Sequence, residues 1–325
     1  MTIATRTETA TPTSTATPTS TATPVTTATI TGTEKRRALR TTMASDRAAV
    51  AVGAHDALTA LLIGRYGFDA VWVSGLAVAT AVHAMPDLNL TTMTETLDAA
   101  IRIDRVTNLP VVADCDNGFG ALNNVVRTVR EFDLAGIAAV SIEDNLFPKR
   151  NSLMGSETRR ELIPVAEQAR RLRAAKDAQP SDDFTIIARV ESLIAGEGVE
   201  MACRRADAYV EAGVDAILIH SRDKTLKEIE GFLGQWSGVG RVPLVAVPTL
   251  YPTFTSAELK KLGFNLVILA NQPMRAAVKA VEVTLETLAR EGRASAVDPH
   301  IAPVEHLFEL VGRAAAIALE DDGQA

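Results

Sequence analysis

Three acidic residues follow two apolar runs of the sequence and could bind a metal ion together. Asp114 and Asp116 stand at the end of residues 109–114, and Glu143 ends residues 138–143. Carboxylate oxygens with no His or Cys beside them suit Mg²⁺ or Mn²⁺ rather than zinc. We therefore predict a metal site at these three acids. The alternative is that the two aspartates have a structural role.

Three basic or imidazole side chains could complete a reaction centre. Arg189 could clamp a carboxylate or phosphoryl group, because its planar guanidinium binds such anions through two hydrogen bonds, or it could form a salt bridge with Glu191. His220 could be an acid, a base or a hydrogen-bond donor, or it could be a structural residue. Lys149 lies in the loop after Glu143 and is either a surface lysine or, as we interpret it, part of the same site.

Composition restricts the classes of partner. The net charge of −7 argues against a general electrostatic surface for nucleic acid. No apolar stretch approaches the ~18–20 residues that span a bilayer. The two cysteines, Cys115 and Cys203, are too few for a disulfide framework, and we expect both to pack as small apolar side chains, with Cys115 pointing inward. We therefore predict a cytoplasmic protein that acts on a small molecule and binds neither nucleic acid nor membranes.

The candidate residues follow strand-like runs that are separated by helical patterns. Eight runs are rich in Val, Ile, Leu or Ala without polar alternation, namely residues 48–53, 69–74, 109–114, 138–143, 184–189, 215–220, 243–248 and 265–270. Such runs are typical of parallel strands covered on both faces. They predict an α/β fold, a closed (β/α)₈ TIM-type barrel, whose active site lies at the carboxyl ends of the strands. An open doubly wound sheet is the alternative, weakened by the absence of GxGxxG after the first run.

Helical patterns and turn glycines support this alternation. Residues 123–134, 199–212 and 276–290 carry apolar side chains at helical spacing. Glycines that suit a left-handed helix end precede several runs, namely Gly67, Gly136, Gly213 and Gly263. Residues 302–319 predict one further amphipathic helix beyond the eighth run.

The first forty residues differ in composition from the rest. Residues 9–27 are nearly all Thr, Ala, Pro and Ser, with TATPTS repeated, and cannot bury enough apolar surface to offset the entropy of ordering. We predict a disordered tail over residues 1–40, without the apolar core of a secretory signal. Residues 41–325 are then the barrel domain with its C-terminal helices.

The motifs at the strand ends resemble those of the phosphoenolpyruvate mutase/isocitrate lyase superfamily, in order, from about Arg40 to Arg290. They are AHDALTA (54–60), WVSG (72–75), ADCDNGFG (113–120), EDNLFPKRNS (143–152), ARVESLIAG (188–196), ILIHSR (217–222) and VPT (247–249). The resemblance implies a (β/α)₈ barrel with a swapped C-terminal helix, a homodimer or homotetramer, Mg²⁺, and α-keto or enol acid substrates held as enolates.

The loop after the fourth run distinguishes the branches of this superfamily. Its lyases carry a KxCGH-type motif there, which residues 149–153 lack. The EDKxxxxxNS pattern of the mutases matches at Glu143, Asp144, Asn151 and Ser152, and the related hydrolases tend to have threonine in place of Asn151. Asn145 and Asn117 depart from the usual lysine and threonine. The resemblance therefore favours a mutase of phosphoenolpyruvate and phosphonopyruvate. A phosphonopyruvate hydrolase, a carboxyphosphoenolpyruvate mutase or a carbon–carbon lyase is the alternative.

The resemblance also implies individual roles. The residues implied as catalytic are Asp87, Lys149, Asn151, Ser152, Arg189 and His220, of which Arg189 and His220 hold the phosphoryl group, Lys149 and Asn151 belong to a mobile lid, and Ser152 supports that lid. Substrate is expected to contact Trp72, Ser74, Gly75, Leu76, Asn124 and Arg189, with backbone N–H groups of Ser74 and Gly75 at the enolate. Mg²⁺, or Mn²⁺, is expected at Asp114, Asp116 and Glu143, supported by Asp87.

Overall fold

The strands of this chain close into a parallel barrel. The computed structural model describes residues 30–154 and 160–322. The strands are β1 (Ala49–Ala54), β2 (Ala70–Val73), β3 (Val111–Asp114), β4 (Ala139–Glu143), β5 (Thr185–Val190), β6 (Ala216–Ile219), β7 (Leu244–Ala246) and β8 (Phe264–Leu269). Each strand pairs in parallel with the next, and β8 pairs with β1. The predicted α/β fold, a (β/α)₈ TIM-type barrel, is confirmed, with all eight runs in strands.

Helices connect the strands. They are α1 (Gly32–Met43), α2 (Ala57–Ile63), α3 (Gly75–His83), α4 (Met93–Asp104), α5 (Leu122–Leu134), α6 (Val165–Ala178), α7 (Ser192–Ala195), α8 (Val199–Glu211), α9 (Lys227–Gln235), α10 (Ser256–Lys261), α11 (Gln272–Glu291), α12 (Val304–Leu310) and α13 (Arg313–Asp322). The four predicted turn glycines all have positive φ, between 72° and 107°. Glycine takes this conformation without the strain that a Cβ would add, so each helix can end sharply before the next strand.

Alternate strand residues divide the core into two layers. Ala70 and Trp72 of β2 belong to the cluster inside the barrel, whereas Val71 and Val73 pack outward against the helices. This follows from the two-residue period of a strand. Cys115 is fully buried, as predicted for a small apolar side chain, but it belongs to the outer layer and not to the barrel interior that we expected. The strand bodies therefore supply packing, and polar side chains collect beyond the strand ends.

Helix α1 begins within residues 1–40, which we predicted to be a disordered tail. It begins in a capping box, in which the Thr31 side chain accepts from the backbone of Glu34 and the Glu34 carboxylate accepts from the backbone of Thr31. Leu39 is 1% exposed and packs in the inner cluster. The prediction of disorder is therefore wrong for residues 32–40, which follow the Thr/Ala/Pro-rich segment and form most of a capped amphipathic helix. Residues 1–29 lie outside the described part of the chain.

The described residues form two compact units. The barrel belongs to the unit that ends at Ile301, and the described residues from Ala302 onward belong to the other. The single helix predicted over residues 302–319 is wrong. The chain forms α12 and α13 instead, because Gly312 between them has φ of 70° and interrupts the helix. The swapped position of this segment stays a prediction.

No helix within residues 30–154 and 160–322 is both long and apolar enough to cross a membrane.

Candidate active site

A cavity opens at the carboxyl ends of the barrel strands. It encloses about 520 Å³ that no protein atom fills, part of it open to solvent. Its lining includes most of the residues predicted from sequence, namely Trp72, Ser74, Leu76, Asp87, Asp114, Glu143, Lys149, Asn151, Ser152, Arg189 and His220. These side chains come from strand ends and the segments that follow them, far apart in sequence, and closure of the barrel brings them together.

Strand register places an acid beside a base at the cavity wall. Glu143 and Arg189 are direct partners in the pairing of β4 with β5. Their side chains approach to 3.4 Å between the Arg189 Nε and Glu143 Oε2 atoms. Asp114 ends β3 beside β4, and its carboxylate faces the same cavity. The barrel therefore fixes three functional groups by backbone hydrogen bonding alone.

Lys149 reaches from the β4 loop into a group of acids. Its Nζ atom lies 2.8 Å from Asp87 Oδ1 and also contacts Asp116 Oδ1, and the lysine is 4% exposed. Burial alone would lower the pKa of Lys149, but the surrounding carboxylates, Asp116 foremost, raise it well above its ordinary value. Burial raises the pKa of Asp116 to about 6, against the opposing effect of Lys149. Lys149 is thus a buried, charged member of the site, as we interpreted it from sequence.

The three acids predicted as metal ligands do not form one cluster. Both oxygens of Asp116 are engaged, one by Lys149 and the other by Asn89 Nδ2 at 2.9 Å. Among the described residues, no three His, Cys, Asp or Glu side chains are arranged to hold a metal ion together. Metal binding by Asp114, Asp116 and Glu143 as a set therefore stays a prediction, and in this arrangement Lys149 and Asn89 are bonded to Asp116.

Asp114 and Glu143 nevertheless fit a hard cation. Both line the cavity, and Glu143 Oε1 is buried without a hydrogen-bond partner among the described residues. Burial raises the pKa of Glu143 to about 8, although Arg189 and Lys149 lower it. A Cβ atom on Gly75 would lie 3.2 Å from Asp114 Oδ2, so this glycine leaves room beside the carboxylate. Oxygen donors of this kind match Mg²⁺.

Residues 145–154, which we call the lid segment, lie over the cavity. The Asn151 side chain donates from Nδ2 to Asp87 Oδ2 and accepts from the backbone N–H of Leu153 at 2.9 Å. Arg160 donates to the carbonyl oxygens of Asn151 and Met154 at 2.8 and 2.9 Å. Asn151 is therefore held on the cavity side, where it can meet a substrate.

Glu191 organises the opposite wall and was missed as a site residue. Its carboxylate accepts from Arg189 Nε at 2.5 Å and from Ser152 Oγ at 2.7 Å, and it lies 3.0 Å from His220 Nδ1. Burial alone would raise its pKa, but Arg189 and then His220 lower it below the ordinary value. Sequence offered a signal, because residues two apart on a strand share a face and Glu191 follows Arg189 at that spacing. The salt bridge that we weighed as an alternative is present, and Arg189 still lines the cavity.

His220 presents a ring nitrogen to this buried site. Its Nδ1 atom lies 3.1 Å from Arg189 NH2 as well as 3.0 Å from Glu191, and its Nε2 atom is buried without a partner among the described residues. Burial lowers its pKa. The Arg189 guanidinium can only donate and the Glu191 carboxylate can only accept, so Nδ1 bonds Glu191 when it is protonated and Arg189 when it is not. Nε2 is the ring atom left for a bound ligand.

A second layer of polar residues holds the end of β5. Asp144 is fully buried and accepts from the backbone N–H of Glu191 at 3.0 Å and from the Tyr209 hydroxyl at 2.7 Å. Arg205 approaches the same carboxylate at 3.3 Å. Burial raises the pKa of Asp144 to about 6, against Arg205 and Tyr209. This network acts on the site through Glu191 and does not enter the cavity.

Two of the predicted substrate contacts lie in different cavities. Ser74 lines the main cavity, whereas Asn124 lines a separate cavity with Asn89, Phe119 and Arg127. The backbone N–H of Ser74 already donates to the Ala54 carbonyl oxygen at 3.3 Å. The substrate contacts of Ser74 and Asn124 stay predictions. Of the first N–H groups of α3, that of Ala77 donates to the Ser74 side chain at 3.3 Å. Those of Gly75 and Leu76 remain suited to an oxyanion.

The chain belongs to the phosphoenolpyruvate phosphomutase family, whose sequence model matches residues 39–289. This places it in the phosphoenolpyruvate mutase/isocitrate lyase superfamily of enzymes, as the strand-end motifs indicated.

Relatives with different activities are similarly close. A phosphonopyruvate hydrolase of Variovorax sp. (strain Pal2) is 42% identical over 279 residues, which cover 86% of this chain and 95% of the relative. A crystal structure of phosphoenolpyruvate phosphomutase from Streptomyces platensis subsp. rosaceus superimposes with a TM-score of 0.85 at 42% identity, covering 88% of this chain and 98% of that chain. Identity alone therefore does not separate mutase from hydrolase.

One solved relative contains a metal ion. A phosphonopyruvate hydrolase in complex with oxalate and Mg²⁺ superimposes with a TM-score of 0.81 at 40% identity, covering 88% of this chain and 98% of that chain. The oxygen donors of the present cavity are of the kind that such an ion prefers.

Proposed function

We propose that this chain interconverts phosphoenolpyruvate and phosphonopyruvate with the help of Mg²⁺, moving a phosphoryl group between the enolate oxygen and C3 of pyruvate. The observation that carries the proposal is Asn151, held over the cavity by its bond to Asp87 within a lid segment that also buries Lys149. Asparagine at this position matches the mutase pattern, whereas the related hydrolases tend to carry threonine.

The chain's residues meet the demands of phosphoryl transfer. A loose transition state needs positioning and charge stabilisation more than covalent help. Arg189 and His220, in the form that carries a proton on Nε2, bind the phosphoryl oxygens. Asn151 and Lys149 contact the phosphoryl group from the lid segment. Asp114 and Glu143 would hold Mg²⁺, with Asp116 and Asp87 supporting them, and the bound ion would supply positive charge that stabilises the carboxylate and enolate oxygens. Ser152 joins the lid to Arg189 at 2.7 Å, so lid closure and phosphoryl binding are coupled.

Phosphonopyruvate hydrolysis is the second candidate. It is favoured by the 42% identity to a phosphonopyruvate hydrolase and by Asn117 and Asn145, which depart from the mutase pattern. A carboxyphosphoenolpyruvate mutase would need the same site with a larger substrate. A carbon–carbon lyase is disfavoured, because residues 149–153 contain no cysteine or histidine to move a proton at carbon.

The test is to supply phosphonopyruvate and Mg²⁺ to the purified protein and assay phosphoenolpyruvate, pyruvate and phosphate separately. The proposal expects phosphoenolpyruvate, with pyruvate and phosphate at most a minor fraction. Equal amounts of pyruvate and phosphate without phosphoenolpyruvate would assign the hydrolase activity instead.

We also propose that the chain assembles as a homodimer or homotetramer, in part through α11. This helix has 20 residues, of which only Met274 is buried, and it exposes Val278, Val281 and Leu285. An exposed apolar stripe on a long helix is typical of an interface. Light scattering during gel filtration tests this, and a monomer at micromolar concentration would contradict it.

A further inference from the structure

We infer that Asn89 is a positioning residue that latches the lid segment to the acidic side of the cavity. The inference deepens the proposed function, since it says what keeps Lys149 and Asn151 in place during phosphoryl transfer. Asn89 lies two residues after Asp87, and its side chain does not line the main cavity. It therefore acts through other residues rather than on substrate.

The Asn89 amide joins three loops. Its Oδ1 atom accepts from the backbone N–H of Lys149 at 2.6 Å. Its Nδ2 atom donates to Asp116 Oδ2 at 2.9 Å. Asn117 donates from Nδ2 to the same Oδ1 atom at 3.3 Å. The loops after β2, β3 and β4 thus meet at one side chain.

Asparagine suits this position in two ways. An amide accepts and donates at once, so it can bind a lid N–H and a carboxylate together, which an aspartate or a leucine cannot do. The backbone φ of Asn89 is 58°, a left-handed conformation that asparagine tolerates better than most residues with a side chain. Asn89 therefore combines the backbone and the side chain that the junction needs.

The same junction includes the two residues that depart from the mutase pattern. Asn117 donates from Nδ2 to the backbone carbonyl oxygen of Asn145 at 3.3 Å as well as to Asn89. The lid segment is thus tied at its first residue through Asn117 and at Lys149 through Asn89. Replacement of the usual threonine by Asn117 adds an amide that can make both bonds, and this chain's lid is held by asparagine side chains.

Loss of the Asn89 side chain changes how bound phosphonopyruvate reacts. Without the bond from Lys149 to Asn89, the lid segment opens more often and water reaches the phosphoryl group. Phosphonopyruvate and water then give pyruvate and phosphate, in which the C–P bond breaks, a P–O bond to water forms, and the water's protons pass to the pyruvate carbon and the phosphate. Asn89 accordingly favours transfer of the phosphoryl group from C3 to the enolate oxygen.

The test compares wild-type protein with Asn89→Gly, which keeps the positive φ and removes the amide. Hydrogen exchange at the Lys149 amide, read at single-residue resolution by mass spectrometry with electron-transfer fragmentation, should become about tenfold faster, as expected for loss of one buried hydrogen bond. The ratio of phosphate to phosphoenolpyruvate formed from phosphonopyruvate should rise in the same variant. A role in folding alone would move neither readout selectively.

Asn265→Ala is the matched control. Asn265 also bridges two segments through its amide, accepting from Leu244 N at 3.0 Å and donating to the Met43 carbonyl oxygen at 2.9 Å, but at the other end of the barrel. It should lower the melting temperature and leave Lys149 exchange unchanged. Exchange at Lys149 within about twofold of wild type in Asn89→Gly would overturn the inference. If wild-type protein forms no phosphoenolpyruvate, the proposed function fails. The comparison of hydrogen exchange at Lys149 still tests whether Asn89 holds the lid segment in place.

Discussion

The two ends of the barrel are closed by opposite kinds of side chain. At the amino ends of the strands, α1 inserts Leu39 and Met43 into the inner apolar cluster. At the carboxyl ends, buried charges such as Lys149 and Glu191 surround a cavity. Burying a charge is costly unless it is paired, whereas burying an alkyl side chain is favourable. One end therefore provides stability, and the other uses some of that stability to hold reactive groups.

Metal removal should have the largest effect and should act on the polar end alone. After exhaustive treatment with EDTA, turnover of phosphonopyruvate should fall by more than about 10²-fold, because an uncompensated enolate charge is strongly disfavoured. Addition of Mg²⁺ should restore it, with the circular dichroism spectrum unchanged throughout. Full activity in the chelated protein would show that turnover does not depend on a metal ion.

Leu39→Ala should show the reverse pattern. Truncation of a fully buried leucine costs about 2–5 kcal/mol of unfolding free energy, since the surrounding core relaxes only in part. Denaturant titration measures this loss. Activity per folded molecule should stay the same, and a selective loss of turnover would mean that the two ends are not independent.

The strands and the polar end of the barrel could not be predicted equally well from the sequence. The eight runs could be located because parallel strands buried on both faces leave uninterrupted apolar segments, and their ends then identified Asp114, Glu143, Arg189 and His220. Asn124 was predicted from the family resemblance alone, and because it lines a separate cavity its contact with substrate stays a prediction. Asn89 left no pattern, because its role depends on loops that meet only in the folded chain.

Glu191→Gln should lower both stability and turnover, whereas metal removal and Leu39→Ala should each lower only one of them. It leaves Arg189 beside a neutral amide and removes the partner of His220, and breaking a buried ion pair costs about 3–5 kcal/mol. Both the unfolding free energy and the turnover should fall. Glu197→Gln is the control, because Glu197 pairs with Arg205 at a partly exposed position outside the cavity and should cost at most about 1 kcal/mol. Equal losses in the two variants would refute the organising role of Glu191.

The smallest effect concerns the protonation of His220. Its pKa is lowered by burial, so protonation favours the unfolded chain. The stability that it contributes is fully present above its ordinary pKa of 6.5 and is lost as the pH falls through the lower folded value. Imidazole ¹⁵N NMR should find this ring neutral at pH 7. A charged ring at pH 7 would contradict the lowered pKa.

The proposed function requires that the polar end of this barrel transfers the phosphoryl group of phosphonopyruvate to the enolate oxygen and not to water. The most direct measurement is a ³¹P NMR time course of phosphonopyruvate and Mg²⁺ with the wild-type protein, run beside Asn151→Thr. We expect a phosphoenolpyruvate resonance to grow with wild type, and a larger share of inorganic phosphate with the variant. Inorganic phosphate as the sole product of the wild-type protein would contradict the claim and make this chain a hydrolase.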